Sequence, residues 1–250
     1  MDKLKNGIYP AASLIFVLIV WEISVYVFEV SPVILPGPIS IFKRITVQYS
    51  SIASNSLNTL YGAVSGFLIG FAFAALLATI FQFSDFLKKT ILPFAVATRG
   101  IPPIVIAPIV VLWFGTDNLS KVTLTAFTSF FPILVNFMKG LNSVPDDVLD
   151  LMKTFSATKW QVFSRVRLKY ALPDLFAGLK IASSFAVVGA IISEYVGVTK
   201  GIGYIVKSST YFSDTDLTFA GIFAASMIGM LLYWVIEWIE KKVVFWNVNS

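Results

Sequence analysis

Two ionisable residues stand in long apolar runs: Arg99, directly before Gly100-Ile101-Pro102-Pro103, and Glu194, within Ser193-Glu194-Tyr195-Val196-Gly197. Charged groups in such surroundings are costly and tend to mark a solute path, a gate or an interhelical bond. Arg99 could attract an anionic solute or bond backbone carbonyls freed by the neighbouring prolines. Glu194 could serve a gate, bond another helix or reach solvent. Arg99, Pro102, Pro103 and Glu194 are therefore the candidate residues of a translocation path. A third region, Lys139 to Asp174, carries Val148, Leu151, Met152 and Phe155 as an apolar stripe at helical spacing beside Asp146, Asp147 and Asp150. Such a two-faced helix can dock in a partner's groove or rest on lipid headgroups; the acids favour the partner.

Enzymatic chemistry has little to work with. The chain has no histidine and no cysteine, which removes the commonest general base, thiolate metal ligands and disulfides. No G-x-S-x-G, H-E-x-x-H or G-x-x-x-x-G-K-[ST] pattern is present. The expectation is a non-catalytic chain with no metal site and no cofactor of its own. Any ATP that its work requires is bound by another polypeptide.

The elements that must position these residues are membrane spans. Of 250 residues 57% are hydrophobic and 13% charged, and mean hydropathy is +0.81. A water-facing surface needs about twice that charge content. Windows able to cross about 30 Å of hydrocarbon fall near residues 8–30, 57–81, 91–114, 122–138, 175–198 and 217–239, which predicts an all-α integral membrane fold with about six transmembrane helices in one domain, 1–250. The first window lacks an A-x-A cleavage site and is expected to stay as an anchor. Leu35-Pro36-Gly37-Pro38 and a short amphipathic stretch to Tyr49 follow it. In the second window Gly62, Gly66 and Gly70 recur on one face, where small residues let helices approach closely. Asn55, Asn58 and Thr59 read as caps at its head. The third window is interrupted by Pro93, Pro102, Pro103 and Pro108, so it is expected to face the bundle interior.

The net charge of +5 follows topology rather than nucleic-acid binding. With the amino terminus inside, the inner segments hold Lys3, Lys5, Lys88, Lys89, Lys139 and the basic residues of 153–169, among others. The outer segments hold Lys43, Arg44, Lys121, Lys200 and Lys207. This split satisfies the positive-inside rule for an even number of spans, with both termini cytoplasmic. Trp21, Trp113, Trp234, Trp238 and Trp246 near window ends suit interfacial anchoring.

The connection at about 139–174 reads as two short helices. Ser143-Val-Pro-Asp146 offers a cap, a first-turn proline and acids near the amino end, and Thr158-Lys-Trp-Gln161 is a capping-box pattern. Asp150-Leu-Met-Lys-Thr-Phe-Ser156, nine residues, then Val166-Arg-Leu168-Lys169 resembles the EAA loop of binding-protein-dependent ABC importer permeases of MetI-like fold. Asp150 stands for the glutamate, Leu151-Met152 for the alanines, Ser156 for the glycine and Lys169 for the proline. A serine at the glycine position is tolerable if it stays out of the left-handed region. Leu35-Pro-Gly-Pro38, Ile101-Pro-Pro103, Leu112-Trp-Phe-Gly115, Ser193-Glu194-Tyr-Val-Gly197 and Gly201-Ile-Gly203 resemble the nitrate, sulfonate, taurine and thiamine-precursor subgroup.

That resemblance implies a permease subunit that moves a small solute inward across a bacterial plasma membrane. It also implies a second permease copy, two cytoplasmic ATPase subunits carrying ATP and magnesium, and an external solute-binding protein. Asp150, Leu151, Met152, Phe155, Ser156, Ala157, Thr158 and Trp160 would be the ATPase-coupling residues of a cytoplasmic coupling helix. An ATP-independent secondary transporter or channel is the alternative; such folds often show paired broken helices, and only one window here is strongly broken.

Overall fold

The computed structural model describes residues 2–246, without the side chains of 2–8, 10 and 11. Lys3 and Lys5 of the charge count fall among those undescribed side chains. Eleven α-helices follow in order: α1 Asp2–Val27, α2 Pro38–Val47, α3 Tyr49–Phe83, α4 Asp85–Thr98, α5 Pro103–Phe114, α6 Asn118–Leu141, α7 Asp146–Thr154, α8 Lys159–Val162, α9 Leu168–Val196, α10 Ile202–Tyr211 and α11 Thr215–Val243. A π-helical turn, Phe163–Arg167, joins α8 to α9. No strand occurs among the described residues.

Among the described residues four helices are long and apolar enough to cross a membrane: α3, α6, α8 with α9 as one rod, and α11. The predicted third span is not one helix. α4 and α5 meet at 101°, because Pro102 and Pro103 have no N–H to continue the ladder and push the residues before them into extended conformations. α4 closes with tight bonds from Gly100 N–H to Ala97 O and from Ile101 N–H to Thr98 O. Counted together, the pair makes a fifth span. The described apolar stretch of α1, Ala12–Val27, is shorter.

α6 is the axis of the bundle, packed between α3 and α9. The glycines of α3 meet α6 in register: a Cβ at Gly62 would strike Lys121, at Gly66 Thr125, and at Gly70 Ser129. Four-residue spacing on one helix answers four-residue spacing on the other, which brings the backbones close. On the opposite face Gly140 abuts Ala171, Gly178 abuts Asn136, and Gly189 abuts Thr128. Outward-facing apolar residues, among them Leu68, Phe73, Leu76, Met227 and Trp234, remain exposed, as lipid contact requires. Trp21 packs on Phe219 of α11 with its ring nitrogen buried.

Lys139–Asp174 at 2.8 Å and Lys180–Glu240 at 2.7 Å tie α6 and α11 to α9. Arg44 pairs with Asp214 and Ser40 donates to Asp216 at 2.7 Å, holding α2 against the head of α11. α10, ten residues long, is too short to register as a span and was not expected from hydropathy.

Candidate functional site

Near the amino end of α6 and the carboxyl end of α9 lies a buried polar knot. Lys121 and Glu194 are both 0% exposed, and Lys121 Nζ sits 2.8 Å from Glu194 Oε1. Lys121 also donates to Asn58 O at 3.2 Å. Thr59 Oγ1 donates to the Glu194 carboxylate at 2.9 Å and accepts from Ile202 N–H at 2.8 Å. Gly203 N–H donates to Glu194 Oε2 at 2.9 Å, and Gly201 N–H donates to Asn55 Oδ1 at 2.7 Å. The knot therefore joins α3, α6, α9 and the start of α10. Gly201 has φ 122°, and a Cβ there would overlap the Glu194 carboxyl. Only glycine lets the turn close over that carboxylate.

This geometry revises two expectations. Asn55, Asn58 and Thr59 do not cap the second span, since α3 begins earlier, at Tyr49; Asn55 and Thr59 bond the α9–α10 turn, and Asn58 donates to Ser54 O within α3. Lys121 is not an outer-surface charge but a buried partner of Glu194. Glu194 neither reaches solvent nor lines the cavity beside Arg99. A signal was available: Lys121 directly precedes the window at 122–138 and Glu194 stands near the end of the next, and antiparallel spans bring such ends together.

The second site surrounds the break between α4 and α5. A cavity of about 330 Å³ is lined by Arg99, Ile101 and Pro103 from the break, Phe127, Phe131 and Asn136 from α6, and Phe185 from α9, with smaller contributions from their neighbours. Pro102 is the residue that precedes α5 and gives the extended turn. Arg99, Pro102 and Pro103 thus stand together, while Glu194 belongs to the separate knot.

The third site is the connection between α6 and α9. None of the residues of α7 is buried; Leu151 is 55% and Phe155 72% exposed. Asp146 and Asp147 occupy its first turn and suit the helix dipole. Ser143 does not cap this helix. Its hydroxyl donates back to Gly140 O at 2.8 Å, finishing α6, and Pro145 precedes α7 without a side-chain cap. At the far end Ser156 N–H donates to Lys153 O at 2.8 Å and Ala157 N–H to Met152 O at 3.0 Å, the paired bonds of a Schellman turn. Ser156 has φ 50°. It occupies the left-handed region that the sequence reading asked a serine to avoid.

Thr158 and Gln161 form the expected reciprocal capping box: Thr158 N–H donates to Gln161 Oε1 at 2.8 Å, and Gln161 N–H donates to Thr158 Oγ1 at 3.3 Å. The second short helix is not separate, however. It continues through the π-helical turn into α9, fastened by Arg167 donating to Leu141 O at 2.8 Å. Trp160 stacks on Phe83 of α3, with ring centroids 6.0 Å apart. Asp150 accepts from Lys153 at 2.7 Å, and this bond raises the Lys153 pKa.

A multi-pass helical bundle with a broken span and an exposed helix between two spans has the architecture of a transport permease. The chain belongs to the binding-protein-dependent transport system inner membrane component family, whose profile matches residues 66–245. It is the membrane-spanning permease subunit of an ABC transporter for a small solute. A formylaminopyrimidine transport permease protein, ThiX, of Halalkalibacterium halodurans is 32% identical over 99% of each chain. A probable ABC transporter permease protein of Haemophilus influenzae is 31% identical over 92% of this chain and 94% of its own. The fold is that of a chain of the inward-facing MetNI methionine ABC transporter, with a TM-score of 0.68 and 18% identity over 78% of this chain and 97% of the other.

Proposed function

We propose that two copies of this chain form the pathway of an importer in a bacterial inner membrane, with both termini in the cytoplasm. Two ATPase subunits, which carry the ATP and magnesium, dock on the 150–160 segment. An external binding protein delivers the solute, which then passes the Arg99, Pro102 and Pro103 region. The whole chain works as one permease domain.

The observation that carries this reading is the unpartnered state of α7 beside a rigid frame. Its apolar residues Leu151 and Phe155 face outward, yet the turn that follows is fixed by the Schellman bonds, the capping box and the stacking of Trp160 on Phe83. An exposed helix on so ordered a base can transmit a push from a docked partner into α9. Coupling of this kind needs contacts whose energy differs between the two states of the transporter.

Phe155→Asp and Ser156→Arg test the assignment. Each is expected to abolish ATP-driven uptake and co-purification of the ATPase while leaving the subunit inserted in the membrane. Uptake and complex stability both unchanged would defeat it.

A further inference from the structure

We propose that α5 is the moving gate of this subunit. It swings between the break at its amino end and Gly115 at its carboxyl end, while α3, α6, α9, α10 and α11 stay fixed to one another. This rests on reading the chain as a solute permease and adds which part of it moves.

Polar bonds divide the molecule first. The Lys121–Glu194 pair, with Thr59 and Asn55, ties α3, α6 and α9 to the start of α10. The hydroxyls of Ser209 and Thr218, 2.8 Å apart, tie the far end of α10 to α11, and Lys180–Glu240 ties α11 back to α9. Among the described residues no hydrogen bond or ion pair joins α5 to another helix. Its sequence is the reason: Pro103-Ile-Val-Ile-Ala-Pro-Ile-Val-Val-Leu-Trp-Phe114 offers one side-chain donor, Trp113, and that residue is 73% exposed. Parting the tied helices would strand buried polar groups. Shifting α5 exchanges one apolar contact for another and strands none.

The packing of α5 is correspondingly slight. It buries only Ala107 and Val110, which meet Leu124 of α6 and Ile192 and Val196 of α9. Pro103 at its head lines the cavity of about 330 Å³ together with Phe131 of α6 and Phe185 of α9. A helix held on one side by a small apolar contact and bordered by a void has room to move. Its movement changes the size of that cavity directly.

Both ends of α5 are suited to turn. At the amino end the 101° break at Pro102 and Pro103 interrupts the helical ladder. At the carboxyl end Gly115 has φ 81° and ψ −177°, a region open to glycine almost alone, and nothing lies within 4 Å of where its Cβ would stand. Hinges of this kind are a few element-terminal residues that absorb a large backbone change. The tied helices carry their positive-φ glycine, Gly201, pressed against Glu194 instead.

The chain has no cysteine, so introduced thiols report on their own positions. A Cβ on Gly197 would lie 3.4 Å from the Cβ of Val111, close to the separation of about 3.5–4.5 Å that a disulfide needs. Val111→Cys with Gly197→Cys should lock α5 to α9, and oxidation should stop ATP-driven uptake until a reductant restores it. A Cβ on Gly221 would lie 2.8 Å from Val206 Cγ2. Val206→Cys with Gly221→Cys should lock α10 to α11 and leave uptake unchanged. Spin labels read the motion without ATP and decide the matter where a disulfide fails to form. On the full-length chain in lipid vesicles, labels at Trp113 and Tyr61 should give a broad or two-peaked distance distribution. Labels at Tyr61 and Tyr211 should give a narrow one. Equal widths for the two pairs, uptake that survives the 111–197 disulfide, or uptake lost to the 206–221 disulfide would each overturn the gate. Unequal widths in a chain that shows no ATP-driven uptake would instead sink the importer reading and leave the gate standing.

Discussion

Two ion pairs of nearly equal length have opposite surroundings. Lys121–Glu194, at 2.8 Å, is 0% exposed on both sides; Asp150–Lys153, at 2.7 Å, leaves its partners 68% and 78% exposed. The first is held by Thr59, Asn58 and Gly203 from other elements, whereas the second spans three residues of one short helix. Bond length therefore says little about what an ion pair does. Water screens the exposed pair, and its loss should barely register in stability. The buried pair has no water to fall back on, so each partner depends on the other. The same contrast holds for the backbone: the buried knot has glycine at its positive-φ turn, Gly201, and the exposed segment has Ser156. One region is finished within the chain, and the other is left open to a partner.

The strongest way to break that contrast is to remove one side of the buried pair. Glu194→Ala leaves Lys121 charged and the donors of Thr59 and Gly203 without an acceptor. The expected cost is about 3–5 kcal/mol, read as a large fall in the thermal midpoint and in the monodisperse yield from detergent. Lys121→Met should fall in the same range. The double variant Lys121→Met with Glu194→Gln should lose much less than Lys121→Met and Glu194→Gln measured singly would sum to, because the glutamine carbonyl still accepts from Thr59 and Gly203 and no charge is left unpaired. Simply additive losses would show that the two residues are not coupled.

A smaller intervention probes how tightly the turn closes over the carboxylate. Gly201→Ala places a side chain at φ 122°, a conformation costing about 1–3 kcal/mol for a non-glycine residue, and presses it on Glu194. The midpoint should drop, and combining the change with Glu194→Ala should cost less than the sum of the two. An unchanged midpoint for Gly201→Ala would mean that the turn is looser than the hydrogen bonds of Gly201 and Gly203 imply.

The sequence made the two regions unequally legible. The exposed segment could be read well because its signals are local: the Thr158–Gln161 capping box, the acids at the head of α7 and the helical stripe each lie within a few residues. The glycine spacing of α3 likewise announced a close helix contact. The knot was harder to see because its members, Asn55, Thr59, Lys121, Glu194 and Gly201, are joined only by tertiary packing. Charge counting then placed Lys121 in water. The break at Pro102-Pro103 was visible as a kink, but its 101° angle was not, since proline specifies which bonds are lost and packing decides where the next helix goes. The π-helical continuation into α9 was hidden for the same reason: the sequence marks the start of α8, not whether it stops.

The finest test concerns Ser156. A non-glycine residue in the left-handed region carries a penalty of about 1–2 kcal/mol that glycine avoids, partly offset by the greater backbone freedom glycine has when the turn opens. Ser156→Gly should therefore stabilise the turn by about 1 kcal/mol. Local opening, rather than global unfolding, is where so small a gain can be read. Exchange of the Ala157 amide proton, bonded to Met152 O, should slow roughly fivefold, while amides of the Glu194 knot keep their rates. Faster exchange at Ala157 would mean that the serine side chain itself supports the turn. An equal slowing in both regions would deny that they are energetically separate.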